Sequence, residues 1–345
     1  MKNPVVSIII PVYNKCTYIK QTIDSVLRQD FDLFEIIVID DGSTDESLEV
    51  VNAFSDLRLR VFSQSNAGVE RARNFGFSQS SGSFIVFLDA DDLMIVNRLS
   101  NQVELFNTDE DLVLVGTWAN VIDHSGKVIG SIRPPTSNPA IQLGHLFRNQ
   151  FVNSSVMVRR SAIANGLVFN EVRGKRFAED FDLWNRVSKS GLVANIPEKL
   201  TSYRRLNASR SQSNDGSLLE SARDISAEWL HKNTNHFESV DSARTFVMSI
   251  NGLDDLSPSS GCDVKNTLNT YDLVLSKLQL GKLGQDSNEY GKMRRCHKVH
   301  IVIWSLLGYV PLPIQRKCFL FLGSLKSWRF TLWLRNTIAR SNLKQ

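Results

Sequence analysis

The chain has 345 residues, 42% hydrophobic and 22% charged, an ordinary globular composition for one large domain with an appendage or for two domains. The net charge of +4 hides an asymmetry: positions 291–345 carry 11 Lys and Arg and no Asp or Glu, leaving 29 basic and 36 acidic residues, a net −7, before them. No stretch approaches the roughly 18 uninterrupted apolar residues of a membrane span, Met1-Lys2-Asn3-Pro4 leads straight into a strand without a signal peptide, and the scattered Cys16, Cys262, Cys296 and Cys318 read as free thiols of a reducing compartment.

Positions 5–12, Val-Val-Ser-Ile-Ile-Ile-Pro-Val, form the near-continuous apolar run of a strand covered on both faces, and Pro11 ends it. An amphipathic helix is expected over 19–27, with Ile19, Ile23, Val26 and Leu27 on one face. A second strand at 34–39 stops at Asp40-Asp41-Gly42-Ser43-Thr44-Asp45, before a helix over 46–54 capped by Ser43, Thr44 or Asp45. A short strand at 59–62, a turn at Asn66-Ala67-Gly68 and a helix over 69–78 follow. Next comes the run Phe84-Ile85-Val86-Phe87-Leu88, and directly after it Asp89-Ala90-Asp91-Asp92.

Three carboxylates in four positions repel one another, and they persist most readily around a bound cation. Mg²⁺ and Mn²⁺ suit this arrangement, held by one or two carboxylates plus substrate phosphates. The competing role is structural, with Asp92 capping a helix over 93–106. Strand–helix alternation of this kind predicts a doubly wound, mostly parallel α/β sheet with helices on both faces. Ligands of such sheets sit beyond the carboxyl ends of the strands. Asn14, Asp40, Asp41, Asn66, Asp89 and Asp91 all fall at such ends, which predicts one polar site. Asp40-Asp41-Gly42-Ser43 also reads as a turn and cap. Arg71 and Arg73 lie two apart on a helix and cannot share a face, so at most one faces a phosphate and the other is solvated.

A further strand is expected at 112–118, a hairpin around Ser125-Gly126, a loop marked by Pro134, Pro135 and Pro139, and a strand over 151–159. Arg176-Phe177-Ala178-Glu179-Asp180-Phe181-Asp182-Leu183-Trp184 opens a helix whose acidic first turn suits the helix dipole. Positions 211–217 read as a linker and 218–280 as helices. Beyond 298, apolar clusters interleave Trp304, Trp328 and Trp333 with Lys and Arg, as in helices lying in a membrane interface. Helices packed on the rest of the chain are the alternative. Nucleic acid fits poorly, because apolar content is high and no recognition motif is present.

Ser7-Ile8-Ile9-Ile10-Pro11-Val12-Tyr13-Asn14, Asp40-Asp41-Gly42-Ser43-Thr44-Asp45, Ala72-Arg73-Asn74 and Leu88-Asp89-Ala90-Asp91-Asp92 together resemble the successive signatures of glycosyltransferase family 2, over about the first 205 residues. The resemblance implies a GT-A fold and inverting, metal-dependent transfer of a sugar from a nucleotide-sugar donor. It puts Asp40 or Asp41 on the nucleoside, and Pro11, Val12, Tyr13, Asn14, Asn66 and Arg71 around it. Asp89 then reaches the ribose and Asp91 ligates the metal with it. Asp180 becomes the general base, with Trp118, Glu179 and Trp184 on the acceptor side. The chain departs from the family at Tyr203-Arg204-Arg205-Leu206, where Leu206 stands in the place of a His near the diphosphate. Arg204, Arg205, Arg210 or water are the candidates to compensate.

The expected division is a catalytic domain over 1–210, comprising a nucleotide half (1–95) and an acceptor half (96–210), a linker and helical region over 211–290, and a basic amphipathic region over 291–345. The implied acceptor is an oligosaccharide or a lipid-linked saccharide of bacterial surface polysaccharide synthesis, met at the inner face of the cell membrane. A processive synthase would need membrane spans and a Gln-x-x-Arg-Trp motif, and a nucleotidyltransferase a Gly-rich phosphate loop after the first strand. A non-catalytic nucleotide-sugar-binding or scaffolding protein of the same fold is the rival from another class.

Overall fold

The computed structural model describes residues 3–163, 169–170, 178–206, 217–251, 264–277 and the single positions 291 and 294. Among them a nine-stranded sheet runs β3 (Leu59–Ser63), β2 (Phe34–Asp40), β1 (Val6–Val12), β4 (Phe84–Phe87), β8 (Met157–Arg159), β6 (Leu112–Ile122), β9 (Leu192–Arg204) and β5 (Leu93–Met94), with β7 (Val128–Ile132) paired to β6. Its first half is parallel: β1 (Val6–Val12), β2 (Phe34–Asp40), β3 (Leu59–Ser63) and β4 (Phe84–Phe87). Between them lie α1 (Cys16–Leu27), α2 (Ser47–Asn52) and α3 (Val69–Gln79). The expected doubly wound α/β sheet is present, and its polarity changes at β8 (Met157–Arg159), which runs antiparallel to β4 and to β6 (Leu112–Ile122).

Alternation along β1 explains why both faces are covered. Ile8 and Ile10 point to one core with Ile19, Ile23 and Val26 of α1, Val51 of α2, and Leu99 and Phe106 of α4 (Arg98–Thr108). Ile9 points to the other, with Ala72 and Phe77 of α3, Ile141 of α5 (Asn138–His145), and Leu183 and Trp184 of α6 (Glu179–Val187). Each fully buried Ile contributes about 1.5–3 kcal/mol, enough to fix the register of a strand.

Three elements depart from expectation. Instead of a helix from position 93, Leu93–Met94 is a short strand, β5, paired with Ser202 and Thr201; α4 begins only at Arg98. Asp92 caps nothing, because its Oδ1 accepts the Arg204 amide at 2.7 Å. The strand expected at 151–159 is a 3-10 turn over Asn153–Ser155 followed by β8. Finally, β9 (Leu192–Arg204) was not foreseen. It runs parallel to β6 and jumps from Ile196 to Lys199 between Thr117 and Trp118, so Pro197 and Glu198 bulge out.

The hairpin joins β6 to β7 (Val128–Ile132), with Gly126 at φ 88 in its turn. After it, α7 (Ser217–Thr234), α8 (Val240–Asn251) and α9 (Val264–Lys277) realise the helices expected after position 218. Their buried side chains, including Leu230, Val247 and Tyr271, pack with Leu143, Leu146 and Phe147 at α5 and just beyond it. Positions 211–216 of the expected linker and nearly all of 291–345 lie outside the described residues, and Ser217 opens α7. Among the described residues no helix is long and apolar enough to cross a membrane.

Candidate active site

Two sets of polar residues gather beyond the carboxyl ends of β1, β2 and β4. The first starts where β1 ends in Pro11 and Val12, both buried. Asn14 takes φ 52, a left-handed conformation that Asn tolerates better than most residues. Its amide donates to Ser43 Oγ at 3.1 Å, and its Oδ1 accepts the Thr44 amide at 2.8 Å. The Asp41 amide donates to Val12 O at 2.8 Å.

Both acidic residues at the end of β2 hold loops together. Asp40 accepts from Ser43 N at 3.2 Å and Ser63 Oγ at 3.0 Å. Asp41 Oδ1 accepts from Gln64 Nε2 at 2.7 Å and Ala67 N at 2.8 Å, and its Oδ2 from Gly68 N at 2.9 Å. Gly42, at φ 72, lies so close to the next loop that a Cβ would sit 2.8 Å from Asn66 N. Positions 12–14, 40–44 and 66–68 thus form one wall. Tyr13, 47% exposed, and Asn66 present their side chains on it.

The second set centres on Arg73, only 4% exposed on α3. Its guanidinium reaches Asp89 Oδ1 at 2.7 Å and Glu179 Oε1 at 3.1 Å, and stacks over Phe169 at 4.9 Å. The acidic motif after β4 and the Glu179-Asp180 pair at the start of α6 are therefore tied by one buried cation. Burial works against that charge, but Asp89 and then Glu179 outweigh it and hold the guanidinium firmly protonated. Asp180 stands beside this triad, its Oδ2 accepting from Asn149 Nδ2 at 3.0 Å. Burial, then the neighbouring Glu179, push its carboxyl up to about 7, with Arg73 pulling the other way. A carboxylate poised near neutrality beside an acidic motif has the properties of a general base.

Asp91, the second carboxylate of the motif, meets Lys15 Nζ at 2.6 Å through Oδ2. Asp92 is buried at 1% exposure; burial, then Asp89 and Asp91, raise its carboxyl well above the ordinary range. Arg204 clasps this turn. Its guanidinium donates to Asp91 O at 2.8 Å, Asp123 O at 3.0 Å, His124 O at 3.1 Å and Gln21 Oε1 at 3.0 Å.

A divalent ion suits the donor set. Lys15 and Arg73 each engage one oxygen of Asp91 and Asp89, leaving each carboxylate a second hard oxygen donor, and the Lys15 ammonium stands where a cation's charge is wanted. Among the described residues no three His, Cys, Asp or Glu side chains are arranged to hold an ion unaided, so such an ion would draw further ligands from a diphosphate and water.

The structure overturns one assignment, Trp184, and gives the other candidates these surroundings. Arg71 is exposed, and Arg73 is the arginine that faces the carboxylates. Trp184 is fully buried against Phe87 in the core beneath the sheet, so it cannot touch an acceptor. Trp118, half-buried on β6, donates its indole N–H to Pro134 O at 2.9 Å under the Arg133 guanidinium. Glu179 is engaged by Arg73. Arg204 is committed to main-chain carbonyls and Arg205 is exposed, while Arg210 lies outside the described residues. Lys15 and Asn149 escaped the sequence reading because only the fold brings them to Asp91 and Asp180; Arg73 was visible in Ala72-Arg73-Asn74.

The profile of glycosyl transferase family 2 matches residues 7–165. An uncharacterised glycosyltransferase of Haemophilus influenzae is 35% identical over 197 residues, covering 56% of this chain and 77% of the relative. One from Rickettsia bellii is 33% identical over 59% of this chain but only 29% of its own length. The chain thus spans less than a third of some of the curated relatives it matches and about three quarters of others. The crystal structure of residues 1–349 of TarS from S. aureus superposes with a TM-score of 0.54 at 15% identity, over 88% of this chain and 90% of that one, a likeness of fold.

Proposed function

The chain belongs to glycosyltransferase family 2, and from that premise we propose that it transfers a sugar, with inversion, from a nucleoside-diphosphate sugar to a saccharide or lipid-linked acceptor in bacterial surface polysaccharide synthesis. The observation that carries this reading is the buried Arg73 joining Asp89 to Glu179, with Asp180 pushed up to about 7 beside them.

Inverting transfer is a single displacement. The acceptor oxygen bonds to the anomeric carbon as the bond to the diphosphate oxygen breaks, and the hydroxyl proton must go to a base. Asp180 takes that proton on its carboxylate, oriented by Asn149. On the donor side, the exposed Tyr13 ring offers a face to a nucleobase. Asp41 uses three acceptor sites of about four, so one remains at Oδ2 for a base N–H or ribose hydroxyl. Asp89 and Asp91 would hold Mg²⁺ or Mn²⁺, whose positive charge stabilises the departing diphosphate. S. aureus TarS has been crystallised with UDP-GlcNAc, a donor of the class proposed here. The basic region over 291–345 is proposed to dock on an anionic membrane leaflet at the inner face of the cell membrane.

Purified protein tested against a panel of UDP-, GDP- and dTDP-sugars, with chelator and with Mn²⁺ restored, checks the reading. Asp180→Asn is expected to leave donor affinity within a few-fold and to lower turnover by roughly 10² to 10⁴. Loss of nucleotide affinity with retained turnover would place Asp180 on the donor instead. A protein that binds a donor but consumes none with any acceptor, and whose Asp180→Asn variant behaves identically, is the scaffold of the rival reading.

A further inference from the structure

The two cations of the site are held very differently. Arg73 is 4% exposed and shared between two carboxylates, so it is locked. The Lys15 side chain is 32% exposed and meets one carboxylate. Its main chain is fixed: the Lys15 amide donates to Ser47 Oγ at 2.7 Å, and its carbonyl accepts the Tyr18 and Ile19 amides, both at 2.9 Å, at the start of α1. The four-carbon stem therefore swings from a stationary root, carrying three donors that need no particular plane. A partly exposed pair of this kind is worth little. A divalent ion with a stronger claim on Asp91 displaces it at small cost.

Among the described residues that touch the acidic turn and Glu179, the arginines are already engaged. Arg204 is committed to carbonyls, Leu206 carries no charge, and Arg73 already answers Asp89 and Glu179. Lys15 is the next residue after Asn14 in the nucleoside wall.

We propose that Lys15 is the displaceable resident cation of the acidic motif: it neutralises Asp91 in the free protein, yields that carboxylate to the divalent ion, and turns its ammonium to the diphosphate of the donor. This rests on the reading of Asp91 as a metal ligand. It makes metal and nucleotide binding cooperative, since the ion releases the lysine that the diphosphate needs.

The experiment uses the full chain and its Lys15→Gln, Lys15→Arg and Asp91→Asn variants. Free Mn²⁺ is counted by electron paramagnetic resonance without nucleotide, and UDP and GDP binding is followed by calorimetry in chelator and in Mn²⁺. Lys15→Gln is expected to bind Mn²⁺ a few-fold more tightly than the parent, because a competing charge is gone. It should also bind whichever of UDP or GDP the parent takes up about tenfold more weakly in Mn²⁺. Lys15→Arg keeps the charge and is expected to restore parental Mn²⁺ affinity, which separates competition from a change of fold. If Asp91→Asn abolishes Mn²⁺ binding while Lys15→Gln leaves it unchanged, the ammonium does not compete; the proposal is wrong and the metal assignment stands. Should Asp91→Asn leave Mn²⁺ binding intact, the assignment of the metal to Asp91 falls first. Unaltered nucleotide affinity in Lys15→Gln refutes the transfer of the ammonium to the diphosphate.

Discussion

Glu179→Gln isolates the electrostatics that tune the proposed base. Asp180 stands at about 7 because of burial first and the charge of Glu179 second, with Arg73 opposing both. Removing the charge of Glu179 leaves burial unchanged and frees Arg73, so both consequences lower the Asp180 pKa. Two carboxylates several ångströms apart at an effective permittivity of about 20 repel by on the order of 2 kcal/mol, or one to two pH units. Glu179 is already paired with Arg73 at 3.1 Å, which offsets about half of that. Asp180 is therefore expected to titrate about one pH unit lower in the variant. A base works only when deprotonated, so activity is lost as pH falls through its pKa. The acid limb of kcat/KM should move from near pH 7 to near pH 6, extending activity towards acid. A carboxyl ¹³C titration of labelled aspartate reads the same change without any substrate. An Asp180 that still titrates near 7, or higher, would refute the coupling to Glu179 and leave burial alone responsible.

Arg73→Met strands Asp89 and Glu179 without their shared cation, and breaking such a pair costs about 3–5 kcal/mol, measurable by urea denaturation. The same variant removes the charge that holds the Asp180 pKa down, so its carboxyl should titrate above 7, the opposite sign to Glu179→Gln. Trp184→Ala should lower stability by about 3–5 kcal/mol as a core cavity forms, whereas Trp118→Ala, at a half-buried indole, should lower it by less. Equal and small effects would return Trp184 to the surface.

The parallel first half of the sheet was legible because its strands are uninterrupted: every residue of β1 and β2 is buried, and polar residues begin where the strands end. β9 was hidden by Pro197-Glu198-Lys199, which breaks any periodicity; only the bulge against Trp118 lets the strand continue. The Asp92 cap was a sound local inference overridden by a partner far along the chain. Trp184 shows the same limit. On an acidic, amphipathic first turn, sequence alone does not say whether an aromatic faces the core or an acceptor, and packing against Phe87 decides it. Choosing between Arg71 and Arg73 needed the angle at which α3 meets the sheet. Lys15 needed the fold itself, since it meets Asp91 across 76 positions.

The clasp made by Arg204 also orders events in time. Its amide meets Asp92 across 112 positions, and its guanidinium holds the Asp91 carbonyl across 113. A chain emerging from the ribosome has β1 to β4 and their helices available early, and local contacts of that kind form first. The acidic turn then waits, three carboxylates without their strap, until β9 has been synthesised and has found its place beside β6. The turn of the proposed site is thus completed late in biogenesis. A nascent chain halted before residue 204 lacks both the amide and the guanidinium that hold this turn, so the strands come before the completed turn.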